Sequence, residues 1–272
     1  GRNSSDDKWV AQVLRSGTLS DKVAALTLRV QESPVHRLAT LDRLMDLGTK
    51  NERRTAQMAL EAVKDLFITN LLPSGRRLVP FSARPAAAAG AWAARDGRQA
   101  GETLVLWYFE DQVRERFRRV LQALEKASKD TVENFKRFSM ETARELLEAK
   151  PEGEDRLLAL LVNKMGDPER KISSRAIYLL QQVLRAHPAM KAVVVREVQQ
   201  YLHRPHLQAR AVYAGVIFLN QVYLTAGEDE VLASSMIQTY LTLFETAATT
   251  ANNPPSPSPA PGGPGPRRGQ ER

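Results

Sequence analysis

Residues 157–184 and 193–224 carry one pattern twice. The copies are LLALLVNKMGDPERKISSRAIYLLQQVL (Leu157–Leu184) and VVVREVQQYLHRPHLQARAVYAGVIFLNQVYL (Val193–Leu224). Each holds an apolar helical stretch, a short turn containing Pro168 or Pro205, and Arg-Ala-(Ile/Val)-Tyr inside a second helix. Arg175, Ala176, Ile177 and Tyr178 return as Arg210, Ala211, Val212 and Tyr213. A helix pair recurring at roughly 35–40 residues is the mark of a helical solenoid, because one pair cannot bury its apolar faces alone and must stack on its neighbours. The pattern predicts an all-α, HEAT/armadillo-like helical-repeat solenoid of about ten to eleven helices.

The remaining chain reads as more of the same unit. Apolar positions at helical spacing predict helices over Ser5–Arg15, from Ser20 past Val30, from Pro34 to Gly48, and over Glu52–Leu72, Thr103–Lys126, Thr131–Ala149 and Glu228–Thr246. Ser20 suits a helix N-cap, and Pro34 and Pro168 suit a first helical turn, with Asp167 as the cap before Pro168. Leu106 and Val132 count among the inward positions of their helices, and Val212–Leu224, apolar nearly all round, is expected to be buried on more than one side. Two segments break the period. Residues 73–101 are rich in Pro, Gly, Ala and Arg and read as a flexible insertion, with Leu78–Phe81 as a packed extended piece; residues 251–272 form a Pro/Gly/Ser tail that reads as a disordered linker. The solenoid is thus expected over 1–250.

Charge gives a weak lead by itself. The net charge is +8, but residues 101–250 are neutral, and six of the eight charges lie in 73–100 and 251–272. Any anion-binding surface in the folded part has to come from arrangement. Cysteine is absent, which excludes disulfides and thiolate metal sites and predicts an intracellular protein. No apolar run is long enough for a membrane helix, and Gly1–Val10 lacks the apolar region of a signal peptide. No Gly-rich phosphate loop or nucleophile elbow occurs. His203 and His206 flank Pro205 without an acidic companion. No catalytic, metal or cofactor site, and no small-molecule substrate, is expected.

The pattern that remains is positional. In an alternating stack, the turns within helix pairs fall on one edge and the turns between pairs on the other. The within-pair turns carry Lys50, Arg53 and Arg54; Lys126 and Lys129; Lys164, Arg170 and Lys171; and His203 and Arg204. The between-pair turns carry Glu32, then Glu152, Glu154 and Asp155, then Glu228, Asp229 and Glu230, with the insertion and Arg185–Lys191 as exceptions. These ten basic-edge residues are the candidates for contact with an RNA phosphate backbone. Trp107 and Tyr108 are candidates for a partner interface. Arg114, Arg116, Arg118 and Arg119 read as an ordinary face, with Glu110–Arg114 and Glu115–Arg119 at the spacing of intrahelical pairs. Arg175 and Arg210 read as rungs of a structural Asp–Arg ladder, with Asp167 as one acid.

Five strings add a resemblance: Gly17–Leu44, Asp65–Pro73 (DLFITNLLP), Trp107–Phe117 (WYFEDQVRERF), Leu161–Leu180 and Val194–Leu224. In order, over roughly Trp9–Phe244, the chain resembles the N-terminal helical region of the nucleolar complex protein 1 / CCAAT/enhancer-binding protein zeta family. The resemblance implies a nuclear, nucleolar and non-enzymatic assembly factor of the large (60S) ribosomal subunit. Its implied partners are nucleolar complex protein 2, precursor ribosomal RNA and pre-60S particles. Residues 82–101 look like an insertion relative to the family, and the Pro-rich tail stands where an acidic stretch is expected. The alternatives are a DNA-binding transcriptional regulator, for which no helix-turn-helix, zinc-finger or basic-zipper pattern is present, and a purely protein-binding HEAT adaptor.

Overall fold

The computed structural model describes residues 12–85 and 96–252. Residues 12–16 are helical. Ten helices follow: α1 (Leu19–Glu32), α2 (Leu38–Gly48), α3 (Arg53–Leu66), α4 (Gly97–Ser128), α5 (Glu133–Ala149), α6 (Glu154–Lys164), α7 (Arg170–Ala186), α8 (Lys191–Leu202), α9 (Ala209–Asn220) and α10 (Glu230–Asn252). There is no strand among the described residues. The described residues fall into two compact units, divided after Val222.

The first unit is a two-layered stack of helix pairs. Helices α2, α4, α6 and α8 lie side by side in one layer, and α3, α5, α7 and α9 in the other, with α1 against α2 and α3. The layers meet through stripes at intervals of three and four residues, such as Leu41–Leu44 on α2, Phe117–Val120–Leu124 on α4 and Ile172–Ala176–Leu179–Val183 on α7, all essentially inaccessible. Each of these Leu, Val, Ile and Phe side chains stabilises the stack by about 1.5–3 kcal/mol relative to exposure, and Ala176 by less. Phe67 and Phe117 pack ring to ring at 5.2 Å where α3 runs into a π-turn, Phe67–Leu71. Helix α10, in the second unit, carries only Glu230 and Glu245 as charged residues and exposes Val231, Ile237, Leu241 and Phe244.

Caps and close approaches set the helix ends. Thr18, rather than Ser20, caps α1, in a reciprocal box with Asp21. Pro34 begins a single 3-10 turn, and α2 starts only at Leu38. Asp167 is not the cap of α7. Its carboxylate accepts from Glu169 N at 3.0 Å, and the helix starts at Arg170. Gly153, in the left-handed region at φ +67°, opens α6; a Cβ there would lie 2.8 Å from Leu121 Cδ1, so glycine lets α6 close on α4. At Gly166 the backbone is ordinary, but a Cβ would sit 2.1 Å from the Tyr201 hydroxyl and 3.0 Å from Ala211 Cβ, so a larger residue would have to displace the tyrosine.

The segment 73–101 departs from its expected character. Helix α4 begins at Gly97, not Thr103, because Asp96 accepts from Arg98 N and Gln99 N, both at 3.1 Å. The described residues before it, 73–85, are strapped to the stack. Leu78 is buried, and its N–H donates to Glu152 at 2.7 Å. Val79 N donates to Glu110 at 2.9 Å and Phe81 N to Asp111 at 3.1 Å. Arg76 and Arg84 both pair with Glu110, and Arg77 with Glu154. The expected Glu110–Arg114 pair is therefore not formed. Burial pushes the Glu110 carboxyl up, but Arg76, Val79 N–H and Arg84 outweigh it and hold the group below its ordinary range.

Leu106 and Val132 are exposed, not inward. Helix α4 has 32 residues against 11 in α2 and 11 in α6, so its layer neighbours cannot cover its whole length. Tyr213 and Tyr223 are exposed as well, so α9 and the residues after it are not buried all round.

Candidate nucleic-acid interface

Consecutive helices of a pair sit in opposite layers, so the turns at 49–52, 129–132, 165–169 and 203–208 emerge on the same edge. This is the edge on which the sequence placed its basic residues. The structure brings many of them into two clefts. One, of about 270 Å³, joins the first two turns and is lined by Lys50, Arg53, Lys126 and Asp130. Another, of about 610 Å³, joins Lys129, Lys164 and Arg204 from the later turns.

The ten candidates divide by partner. Arg53 donates to Asp130 at 3.0 Å, linking the first turn to the second. Lys164 pairs with Asp167 at 3.0 Å. Arg204 donates to Asn163 and lies 5.2 Å from the Tyr201 ring centroid. Lys50, Arg54, Lys126, Lys129, Arg170 and Lys171 are exposed and have no ion-pair partner among the described residues. His203 is exposed too.

Beneath the free cations lies a buried charge cluster that sequence reasoning missed. Lys136 of α5 is only 8% exposed and reaches Glu169 at 2.9 Å and Asp167 at 3.4 Å. Its pKa is raised, first by the Glu169 hydrogen bond. Burial disfavours the Asp167 carboxylate, but the Glu169 N–H, Lys164 and Lys136 prevail and lower its pKa. The signal was present in the sequence: Lys136 stands on the same helical stripe as Ser139, Met140 and Ala143, all buried. The ladder differs from the predicted one in its acids. Arg175 binds Glu141 of α5 with its Nε at 2.6 Å. Arg210 donates to the main-chain oxygens of Pro168 and Asp167, at 2.6 and 2.7 Å. Both tie successive pairs together, and Asp167 contributes its carbonyl to Arg210 in place of its carboxylate.

Arg116 and Arg119 cross from α4 to α2, where they pair with Asp42 and, for Arg119, Asp46 at 2.9 Å. Glu115 pairs with Arg118 instead of Arg119. Trp107 is half-buried under the Arg84 guanidinium, 5.5 Å from its ring, whereas Tyr108 is exposed. No group of three His, Cys, Asp or Glu suited to a metal occurs among the described residues, and no described helix is long and apolar enough to cross a membrane.

The fold defines an all-α helical-repeat protein, a stack of helix pairs with a cationic edge. No protein-family model matches the chain. Among individual proteins, it is 38% identical over 239 residues to human CCAAT/enhancer-binding protein zeta, covering 88% of this chain and 23% of that protein. Ribosome biogenesis protein NOC1 of Chaetomium thermophilum is 39% identical over 254 residues, covering 89% and 24%. Nucleolar complex protein 1 of Drosophila melanogaster is 30% identical over 250 residues, covering 90% and 21%. The chain belongs, over this region, to the nucleolar complex protein 1 / CCAAT/enhancer-binding protein zeta family, and it spans about a quarter of the length of these curated relatives.

Proposed function

We propose that this helical array is a non-enzymatic scaffold in nucleolar assembly of the large ribosomal subunit. It holds precursor ribosomal RNA along its basic edge and engages partner assembly factors, nucleolar complex protein 2 among them, on other faces of a HEAT-like stack. The names of the relatives, a ribosome biogenesis protein and a nucleolar complex protein, support the process. The observation that carries the RNA contact is the set of six exposed cations, two on each of three successive within-pair turns, with no ion-pair partner among the described residues. Neighbouring helices in a stack lie about 8–10 Å apart. A row of turns at that spacing meets a phosphate backbone at regular intervals without reading its bases.

The test replaces Lys50, Arg54, Lys126, Lys129, Arg170 and Lys171 together by Glu and measures affinity for a structured RNA at low salt. Affinity falls steeply if the edge binds RNA; unchanged affinity in a folded variant refutes the reading. The name CCAAT/enhancer-binding protein zeta favours a second reading, a DNA-binding regulator. A preference of about a thousandfold or more for one DNA sequence over others supports that reading. Sequence-tolerant binding with a steep salt dependence supports the scaffold on RNA.

A further inference from the structure

Packing accounts for every residue of the repeated Arg-Ala-(Ile/Val)-Tyr motif except the tyrosines. Ala176 and Ala211 are buried, and Arg175 and Arg210 tie successive helix pairs together. Tyr178 and Tyr213 close the same motif, yet they are 41% and 67% exposed and take no part in the core. Helices α7 and α9 are neighbours in one layer, and the Gln181 amide donates to Gln221, just past the end of α9. Equivalent places in successive repeats give the two rings the same outward aspect, at the spacing of packed helices, about 8–10 Å.

Both helices begin on the basic edge. At 1.5 Å per residue, Tyr178 stands about 12 Å along α7 from Arg170, and Tyr213 about 6 Å along α9 from Ala209. Helical side chains lean toward the N-terminus of their helix, which here brings both rings toward the edge. Arg175 lies over the Tyr178 ring, 4.9 Å from its centroid, and Gln182 donates to its hydroxyl at 3.0 Å, so that ring is held in place.

The charge around the rings has one sign. Neither α7 nor α9 contains an acidic residue, whereas α5, next in the layer, has four glutamates. Arg170, Lys171 and Arg185 are exposed with no ion-pair partner among the described residues. Arg210 donates to main-chain oxygens, which leaves its charge uncompensated. Of the acids at the border, Glu141 is paired with Arg175, Asp167 with Lys164 and Glu169 with Lys136. Exposed rings among uncompensated cations are the elements of a single-strand binding surface, where bases stack on the rings and phosphates meet the cations. A duplex cannot use the rings, because its bases are already paired and stacked.

We infer that the outer face of α7 and α9 binds unpaired RNA, with one base stacked on Tyr178 and another on Tyr213, while Arg170, Lys171 and Arg210 hold the phosphates. This deepens the RNA reading above and rests on it: the edge meets the backbone, and the rings require the strand to be single. The test uses the full 272-residue chain and three labelled RNAs. They are an unpaired strand of about 12 nucleotides, the same backbone without bases, and the strand annealed to its complement. The unpaired strand is expected to bind at least about tenfold more tightly than the baseless one. Tyr178→Ala with Tyr213→Ala removes that advantage and leaves binding of the baseless strand and the duplex as it was. Tyr178→Phe with Tyr213→Phe keeps it, because the π face survives. Comparing the two strands needs no variant, so it decides even if the alanine pair disturbs the thermal melt. Equal affinity for the two strands, or full affinity in the alanine pair, overturns the inference and leaves the rings to a protein contact. If the six-residue edge reversal weakens RNA binding and the alanine pair does not, this inference falls alone; if no RNA binds in any form, both readings fall.

Discussion

Arg76, Arg77 and Arg84 crowd one short segment, whereas Lys50, Arg54, Lys126, Lys129, Arg170 and Lys171 are spread over half the chain. Local density marks the first group as the anion-binding one, but the fold reverses that order. Each strap arginine reaches a carboxylate of α4 or α6, so the positive charge of the segment is neutralised at short range. The scattered cations meet on one edge and keep their charge facing solvent. Cation density along a chain therefore says little about anion binding until the acids folded against it are known. A guanidinium already paired with a carboxylate has its charge offset at short range, so it attracts a phosphate more weakly than a free cation does.

The comparison can be broken first at the edge. Six phosphate contacts on single-stranded RNA give a slope of roughly −4 in log affinity against log salt. The six-residue charge reversal flattens that slope and weakens binding by about a hundredfold or more at low salt, whereas Arg76→Ala, Arg77→Ala and Arg84→Ala together leave the slope unchanged. Filter binding across a salt series reads both. A strap variant that flattened the slope as much as the edge variant would erase the distinction.

At the strap, the larger effect is on stability. Glu110→Ala leaves Arg84, Arg76 and the Val79 N–H without their shared acceptor. It costs about 2–3 kcal/mol in urea unfolding, with RNA affinity unchanged. Glu110→Gln keeps part of the hydrogen bonding and costs less.

Acid pH probes both regions together. Glu110 of the strap and Asp167 beneath the edge have lowered pKa values. Their stabilisation is complete above the unfolded carboxylate range near pH 4 and is lost as pH falls through the depressed folded values. Urea midpoints therefore hold between about pH 7 and 5 and drop below about pH 4. The drop is smaller in Glu110→Gln and in Asp167→Asn than in the parent. An unaltered pH profile in both variants would mean that these carboxylates are not linked to folding.

The smallest effect is expected at Arg98–Glu102, an exposed pair four residues apart on α4. Glu102→Ala changes stability by less than about 0.5 kcal/mol, which sets the scale against which the strap pairs are judged.

Much of this was legible in the chain. The repeated Arg-Ala-(Ile/Val)-Tyr pattern predicted the paired helices, and alternation of turns predicted which cations share an edge. Both follow from local periodicity and chain connectivity, which a sequence carries directly. The misplaced features share one cause. Leu106 fits the apolar stripe of α4 but lies on a helix far longer than its neighbours. Glu110 stands four residues before Arg114, yet its partners are Arg76 and Arg84. Asp167 has the side chain of a cap, but it meets Lys136 across the stack as well as Lys164 three residues before it.

The sequence by itself thus determined the all-α repeat, the order of its helices and the edge on which the basic turns gather, because hydrophobic period, turn residues and alternation act over a few residues at a time. Only the tertiary structure decided which cations stay free, which carboxylates are enclosed, and that Tyr178 and Tyr213 stay exposed. Those outcomes depend on contacts between residues 30 or more positions apart, such as Lys136 with Asp167 and Arg77 with Glu154. No spacing rule along the chain specifies which of several nearby acids an arginine will meet once the helices have stacked.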